Sequence, residues 1–494
     1  VRYNCIVSSY RPAGALDLAS ALTPYRGPWT LREAAHLLRR AGFGGSPADV
    51  ARLAGGSMNA AVDGLVHFPD TSALPAAPAE IVDDSPRALV QALQAARQSG
   101  MPLDDAQLMA LRRQVGQAHR TDIIAMQTWF LNRMIASPAP LQEKMTLLWH
   151  GHFTSAYQKG IPAVALVDQN NLFRRYALGN VRELTLAVSK DPAMLRYLDN
   201  AQNVKAHPNE NYARELMELF TLGIGNYTEA DVRESARAFT GWTIDPNTWT
   251  FVDAPRRHDD GPKTFLGKTG NFDGHDIVEI IFAQPAAARW FAQKLLNFFV
   301  YNDPEPGLID GVAALIRKND FNLQPVVSTL LRSNVFYSPR AYRALVKSPV
   351  EFIVGSYQLV GQRTAAPIAL AALQRMGQVL FFPPNVKGWD GGASWLNSQA
   401  MLTRANFVTA LLAKMDGAAW LTPAMRRSDA PAVARTLTQT ILQGDVSPAS
   451  TQRLVAYLEG DQTAALAMLS AENADERVRG AAYLTMAMPA YQLA

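Results

Sequence analysis

Apolar residues along this chain recur mostly three and four positions apart, the rhythm of a helix that buries one stripe. That rhythm runs through "DIIAMQTWFLNRMI", "LQEKMTLLW", "AAARWFAQKLLNFFV", "LQPVVSTLLRS", "PVEFIVGSYQLVG" and most of the chain from Ala430 onward. Strict alternation, the mark of a half-buried strand, is scarce. Start signals agree with the periodicity. Thr30 and Glu33 make a capping box ahead of an apolar run stopped by Gly42 and Gly44; Ser46 precedes Pro47 and Asp49; Thr228 precedes Asp231. The pattern predicts a mainly α fold.

Three stretches interrupt it. Residues 70–86, "DTSALPAAPAEIVDDSP", are rich in Ala and Pro and read as an extended surface loop rather than a domain boundary. Residues 243–275 are too long and polar for a plain connector and leave room for a short β-hairpin. Residues 381–397, "FFPPNVKGWDGGASWLN", carry paired prolines and glycines that exclude a helix until about Ser394.

Composition narrows the class only slightly. The 494 residues are 48% hydrophobic and 18% charged, so nearly all of the chain is expected to fold. A net charge of +4, with basic residues in scattered pairs such as Arg39-Arg40 and Arg174-Arg175, argues against a nucleic-acid partner. Cys5 is the only cysteine, which excludes an internal disulfide and a cysteine metal cluster. No run of about 18 apolar residues exists, so no membrane span is expected. The first residues show no apolar core of an export signal.

The densest polar stretch is "HPNENYARELMELFTLG", His207 to Gly223. Read as a helix from about Glu210 with Asn209 as its cap, it places Tyr212, Ala213, Leu216, Met217, Leu219 and Phe220 on one arc. Glu210, Asn211, Arg214, Glu215 and Glu218 fall on the other. That second face is either a solvated surface laced by i, i+4 pairs or one wall of a cleft. In a cleft, Glu215 and Glu218 would act as general acid and base or as oxygen ligands, with Arg214 holding them ionised.

Other candidates cluster around it. His150 and His152 in "LLWHGHF" could share a metal only if the helix from Leu141 broke at Gly151; on a continuing helix His152 would join the apolar face as a core histidine. "HDDGPK" presents His258, Asp259 and Lys263 from a loop. A mixed imidazole and carboxylate site built from His150, His152 and His258 would suit Zn, Mn or Fe, while the bland alternative is local turn bonding. In the third loop Trp389 and Trp395 sit beside Asn385, Asp390 and Asn397, and Trp242 lies in "TGWT". Indole faces next to amides suit a sugar or another polar ring; the competing reading is that the indoles plug loops onto helices.

The motifs of serine-hydrolase elbows, phosphate loops, His-Glu-x-x-His zinc sites and covalent haem are absent from the sequence. What is present, in order, is "AAHLLRRAGFGGSPADV", "EKMTLLWHGHF", "NENYARELMELFTLGIGNYTEADVRESARAFTGW", "HDDGPKTFLG" and "FFPPNVKGWDGGASWLN". Together these resemble a large bacterial family catalogued only as a domain of unknown function, the eighteen-hundred family, from about Trp29 onward. The resemblance implies one architecture, an N-terminal arm (1–29) and a single helical domain (30–494). It also implies an envelope role and a sulfatase-like partner protein, without assigning catalytic residues. Localisation on this reading is cytoplasmic, or export to the cell envelope alongside a partner.

The sequence thus sets up one expectation: a cleft in which loops 243–275 and 381–397 converge. Glu215, Glu218, Arg214 and Asp259 would do the chemistry. Asn211, Trp242, Lys263, Asn385, Trp389 and Trp395 would hold a polar, glycan-like substrate, with His150, His152 and His258 around a divalent metal. Hydrolysis is the leading reading. A non-catalytic glycan- or partner-binding protein and a metal-dependent oxidoreductase are the alternatives.

Overall fold

The computed structural model describes residues 17–69, 71, 74–81, 92–96, 98–99, 104–413, 429–460 and 471–494. Residues 1–16 of the N-terminal arm, Cys5 among them, and much of the 70–86 loop lie outside the described residues. The fold is mainly α, as the periodicity predicts, with two small antiparallel hairpins as its described sheets.

The first three helices follow their start signals. Helix α1 (Leu31–Ala41) opens with the Thr30/Glu33 capping box, α2 (Pro47–Ala54) with Ser46 and Asp49, and α3 (Met58–Val66) with Ser57. The long α4 (Asp105–Ala136) leads into α5 (Pro140–His152), whose proline sits in the first turn where its missing N–H costs nothing. Then come α6 (Ala163–Arg175), α7 (Val181–Ser189) and α8 (Pro192–Tyr197).

The stretch from His207 starts as α9 (Asn211–Glu215), within a residue of the expected start, with the Asn209 side chain accepting the Asn211 N–H at 3.0 Å. It does not stay α-helical. From Leu216 to Thr221 the backbone widens into a π-helical turn. Tyr212, Ala213, Leu216, Met217 and Phe220 are buried as the expected arc requires, and Leu219 is half-buried. Helix α10 (Glu229–Ala238) follows with its Thr228/Asp231 box.

The 243–275 region folds into two hairpins. In the first, β1 (Trp242–Ile244) pairs with β2 (Phe251–Asp253), placing Trp242 opposite Asp253; in the second, β3 (Lys263–Phe265) pairs with β4 (Lys268–Gly270). Helices α11 (Gly274–Phe282), α12 (Pro285–Phe299), α13 (Pro306–Lys318), α14 (Leu323–Leu331), α15 (Pro349–Leu359) and α16 (Pro367–Met376) follow. Past the third loop come α17 (Ser398–Ala413), α18 (Ala430–Leu442), α19 (Pro448–Glu459) and α20 (Ala471–Ala487).

Buried apolar side chains from Ala21 to Tyr491 form one continuous cluster. One group of buried charges inside it is fully paired. Glu143, fully buried on α5, accepts from Arg174 at 2.8 and 2.9 Å and from Arg133 at 3.3 Å, tying α4, α5 and α6 together. Removing one member of such a network leaves an uncompensated buried charge, at a cost of about 3–5 kcal/mol. No described helix is long and apolar enough to cross a membrane.

Candidate functional site

Helix α5 runs unbroken through Gly151, so His150 and His152 diverge. His150 is buried, and its Nε2 accepts the Phe381 N–H at 3.1 Å; burial lowers its pKa to about 4, so the ring is neutral. The Nε2 of His152 faces the Phe220 carbonyl at 2.9 Å. A carbonyl can only accept, so that nitrogen carries the proton and Nδ1 is left as a bare acceptor. Burial, aided by the positive charge of Lys294, pushes the His152 pKa well below the usual imidazole value. The π-helical turn thus acts from behind, by supplying the carbonyl that fixes the His152 tautomer.

The loop after α16 is stapled to this helix end. Gln127 Nε2 donates to the Leu380 carbonyl at 3.0 Å, the Tyr157 N–H to that of Phe381 at 3.0 Å, and Thr154 Oγ1 to that of Val386 at 2.6 Å. Gly388 completes the fit. Its φ is +88°, and a Cβ there would lie 2.5 Å from the Gly151 carbonyl oxygen, so the two backbones meet where no side chain fits. Trp389 is thereby held with its ring centroid 5.8 Å from that of His150.

Between the end of α5, the face of α12, the start of α15 and this loop lies a cavity of about 340 Å3. His152, Lys294, Asn297, Trp389, Asp390 and Trp395 line it. Buried polar atoms are almost always hydrogen-bonded, because leaving one unmade costs about 1–3 kcal/mol. Here His152 Nδ1, Asn297 Oδ1 and Trp389 Nε1 are buried, have no partner in the protein, and belong to residues that line the same cavity. Lys294 adds an amine that burial, reinforced by the charge of Lys387, lowers to about 8. Glu351, at the cavity edge, is engaged elsewhere. Burial alone would raise its carboxyl, but a close ion pair with Lys144 and the Ser348 cap hold it below the usual range.

Three of the residues expected from the sequence, His152, Trp389 and Trp395, therefore line one cavity. The others do not. Trp242 is 2% exposed and packed edge-on against Phe239, Phe251 and His275, so it is core and offers no face to a substrate. Lys263 is buried, its Nζ donating to the carbonyls of Asp259 and Gly261; it pins its own loop rather than a ligand. Asp259 is paired to both ends of the Arg237 guanidinium, at 2.7 and 3.2 Å, and that pairing holds its carboxyl below its ordinary value. His258 turns Nδ1 to the Thr240 carbonyl at 2.9 Å, the local bonding weighed as the bland alternative.

Arg214 forks onto Glu229 at 2.7 and 2.8 Å and reaches Glu210 at 3.2 Å, while Glu218 accepts from the Tyr227 hydroxyl at 2.8 Å. Glu215 is half-buried, and burial together with the charge of Glu218 raises its carboxyl. Asn211 donates to the Leu198 carbonyl at 3.2 Å, and Asn385 is an exposed loop residue whose carbonyl takes the Gly388 N–H at 3.1 Å. The shared metal site expected of His150, His152 and His258 is not formed, because each ring is turned to a different backbone group. No group of three or more His, Cys, Asp or Glu among the described residues is placed to hold a metal ion.

Lys294 and Asn297 escaped the sequence reading. They lie one turn apart on α12, inside the strongly apolar "RWFAQKLLNFFV", where a lysine looks like the wet edge of an amphipathic helix. The available signal was the amide three residues beyond the amine, set between Leu296 and Phe298.

The family model described as "Protein of unknown function (DUF1800)" matches residues 36–493. No curated protein and no solved structure matches the chain. The match runs from the middle of α1 through the last described turn and includes every residue of the cavity, and the chain belongs to the DUF1800 family.

Proposed function

We propose that this protein binds a small polar ring of saccharide size in the cavity between α5, α12 and the Trp389 loop. The observation that carries the reading is that three residues lining one cavity each hold a buried polar atom without a partner: two acceptors, His152 Nδ1 and Asn297 Oδ1, and one donor, Trp389 Nε1. A hydroxylated ring both donates and accepts, so it would satisfy all three while an indole covers its apolar face. The volume lies near the lower end of the roughly 300–1,000 Å3 of small-molecule sites.

Binding suits these groups better than acid–base chemistry. A histidine whose pKa lies well below 6.5 accepts a hydrogen bond readily but is a weak base. Glu351 is locked by Lys144, and the Asp390 carboxylate is paired with Lys387 at 2.9 Å. Hydrolysis is the second reading, favoured by the raised carboxyl of Glu215 beside Glu218.

The test is calorimetry of the full chain against a panel of mono- and disaccharides, with turnover scored in parallel. At least one member binds, and Trp389→Ala weakens it about tenfold or more, the size of one lost stacking contact. A panel without any binder, or binding that Trp389→Ala leaves intact, overturns the reading. Turnover abolished by Glu215→Gln would favour hydrolysis instead.

A further inference from the structure

Lys294 poses a separate problem. A cation removed from water is normally paired, because desolvation penalises the charged form unless an anion offsets it. Lys294 is half-buried in the cavity wall, yet it has no ion pair among the described residues; its Nζ lies 5.0 Å from the centroid of the Trp290 ring. Each candidate anion at the cavity is already engaged, Glu351 by Lys144 and Asp390 by Lys387. His152 is neutral, and Lys387 adds repulsion rather than relief. The amine is thus the one charge of the cavity wall left without a counter-charge, and it shares that wall with the unpartnered Trp389 donor.

We infer that the ligand carries a single negative charge, an oxyanion group seated between the Lys294 amine and the Trp389 indole N–H, with the neutral part of the ring toward His152 and Asn297. One amine calls for one charge, so a sugar carboxylate or a sugar sulfate ester fits better than a dianion. This rests on the cavity being a ligand site, and it adds the ligand's charge. A bound monoanion would also stabilise the charged amine and draw its titration upward.

The full-length protein is titrated with D-glucose, D-glucuronate and D-glucose 6-sulfate, and two quantities are read for each. The first is affinity by calorimetry for the wild type, Lys294→Arg and Lys294→Met. The second is the pH dependence of Lys294 acylation in the wild type, followed by peptide mass spectrometry. At least one anionic sugar should bind about tenfold or more tighter than glucose. Lys294→Arg should keep that preference and Lys294→Met should erase it. The acylation midpoint should move up with the anion and stay put with glucose. Whichever anion wins identifies the source of the charge.

Glucose binding as tightly as both anions, or a preference that survives Lys294→Met, overturns the inference and leaves ring binding standing. Anions that shift the Lys294 midpoint while glucose fails to bind support the inference and remove the neutral-ring reading. A midpoint unmoved by either anion, with no sugar bound, overturns both. The acylation measurement needs no variant, so a misfolded Lys294→Met does not protect the idea.

Discussion

The cavity below the Trp389 loop and the acidic face from Glu210 to Glu218 are both polar, and they differ in what their polar groups lack. On the acidic face Arg214 has two carboxylate partners and Glu218 has a tyrosine hydroxyl; in the neighbouring loop Asp259 and Lys263 are bonded to their own surroundings. In the cavity an imidazole nitrogen, an amide oxygen and an indole N–H are buried without partners, beside an amine without an anion. Charge density marked the first region in the sequence. Unmet bonding capacity on residues of one cavity wall marks the second in space, and a ligand there would complete it.

The largest effect is expected where the cavity is assembled. Gly388→Ala must relieve a Cβ contact with the Gly151 carbonyl at a φ of +88°, which requires the loop to lift. A loss of about 2–4 kcal/mol is expected, read as a drop in denaturation midpoint, together with lost sugar binding. A variant as stable as the wild type that still bound sugar would show that the close backbone approach does not hold the site. Next comes Trp389→Phe, which removes an unpartnered donor while keeping an aromatic face. Stability should change by less than about 0.5 kcal/mol while binding weakens several-fold, since deleting an unsatisfied group removes no internal bond. Equal loss of stability and binding would mean that the indole is a plug.

Gly151→Ala sharpens the contrast further. A Cβ at this helical position meets nothing within 4 Å, so the variant should gain about 0.5–1 kcal/mol of helix stability while a methyl group narrows the cavity. Opposite signs for stability and binding would separate scaffold from site at one atom. A variant that bound sugar as well as the wild type would place the ligand away from this wall.

Much of the fold was legible because its rules are local. Capping boxes at Thr30, Ser46 and Thr228 start helices where the sequence places them, since the bonds involved span three residues. The π-helical turn at Leu216–Thr221 was not legible, because its hydrogen bonds reach past the α-helical spacing that periodicity assumes. Of the site, Trp389, Trp395 and His152 could be seen because aromatic and imidazole groups on a glycine-rich loop and a helix end are conspicuous. That Trp242 is core and that Lys294 is not an exposed edge depends on what packs against each from elsewhere in the chain. Spacing alone carries no such information.

The smallest expected effect gives the comparison its hardest test. Burial and the neighbouring Glu218 raise the Glu215 carboxyl above its ordinary 4.5, so the folded state holds that proton more tightly than the unfolded state does. The stability this contributes is complete below the unfolded value and disappears as pH rises through the folded value. Glu215→Gln cannot lose a proton there, so its stability should stay flatter than the wild type's on raising the pH from 4 to 7. Because the group is only half-buried, the gain at neutral pH should be no more than about 0.5 kcal/mol, seen as a small rise in denaturation midpoint. Sugar affinity in the cavity should not move, because Glu215 is absent from its wall and reaches it only through the π-helical turn behind His152. If Glu215→Gln abolished turnover or changed sugar affinity tenfold, the acidic face and the cavity would be two walls of one site. The distinction between satisfied and unsatisfied groups would then have misled.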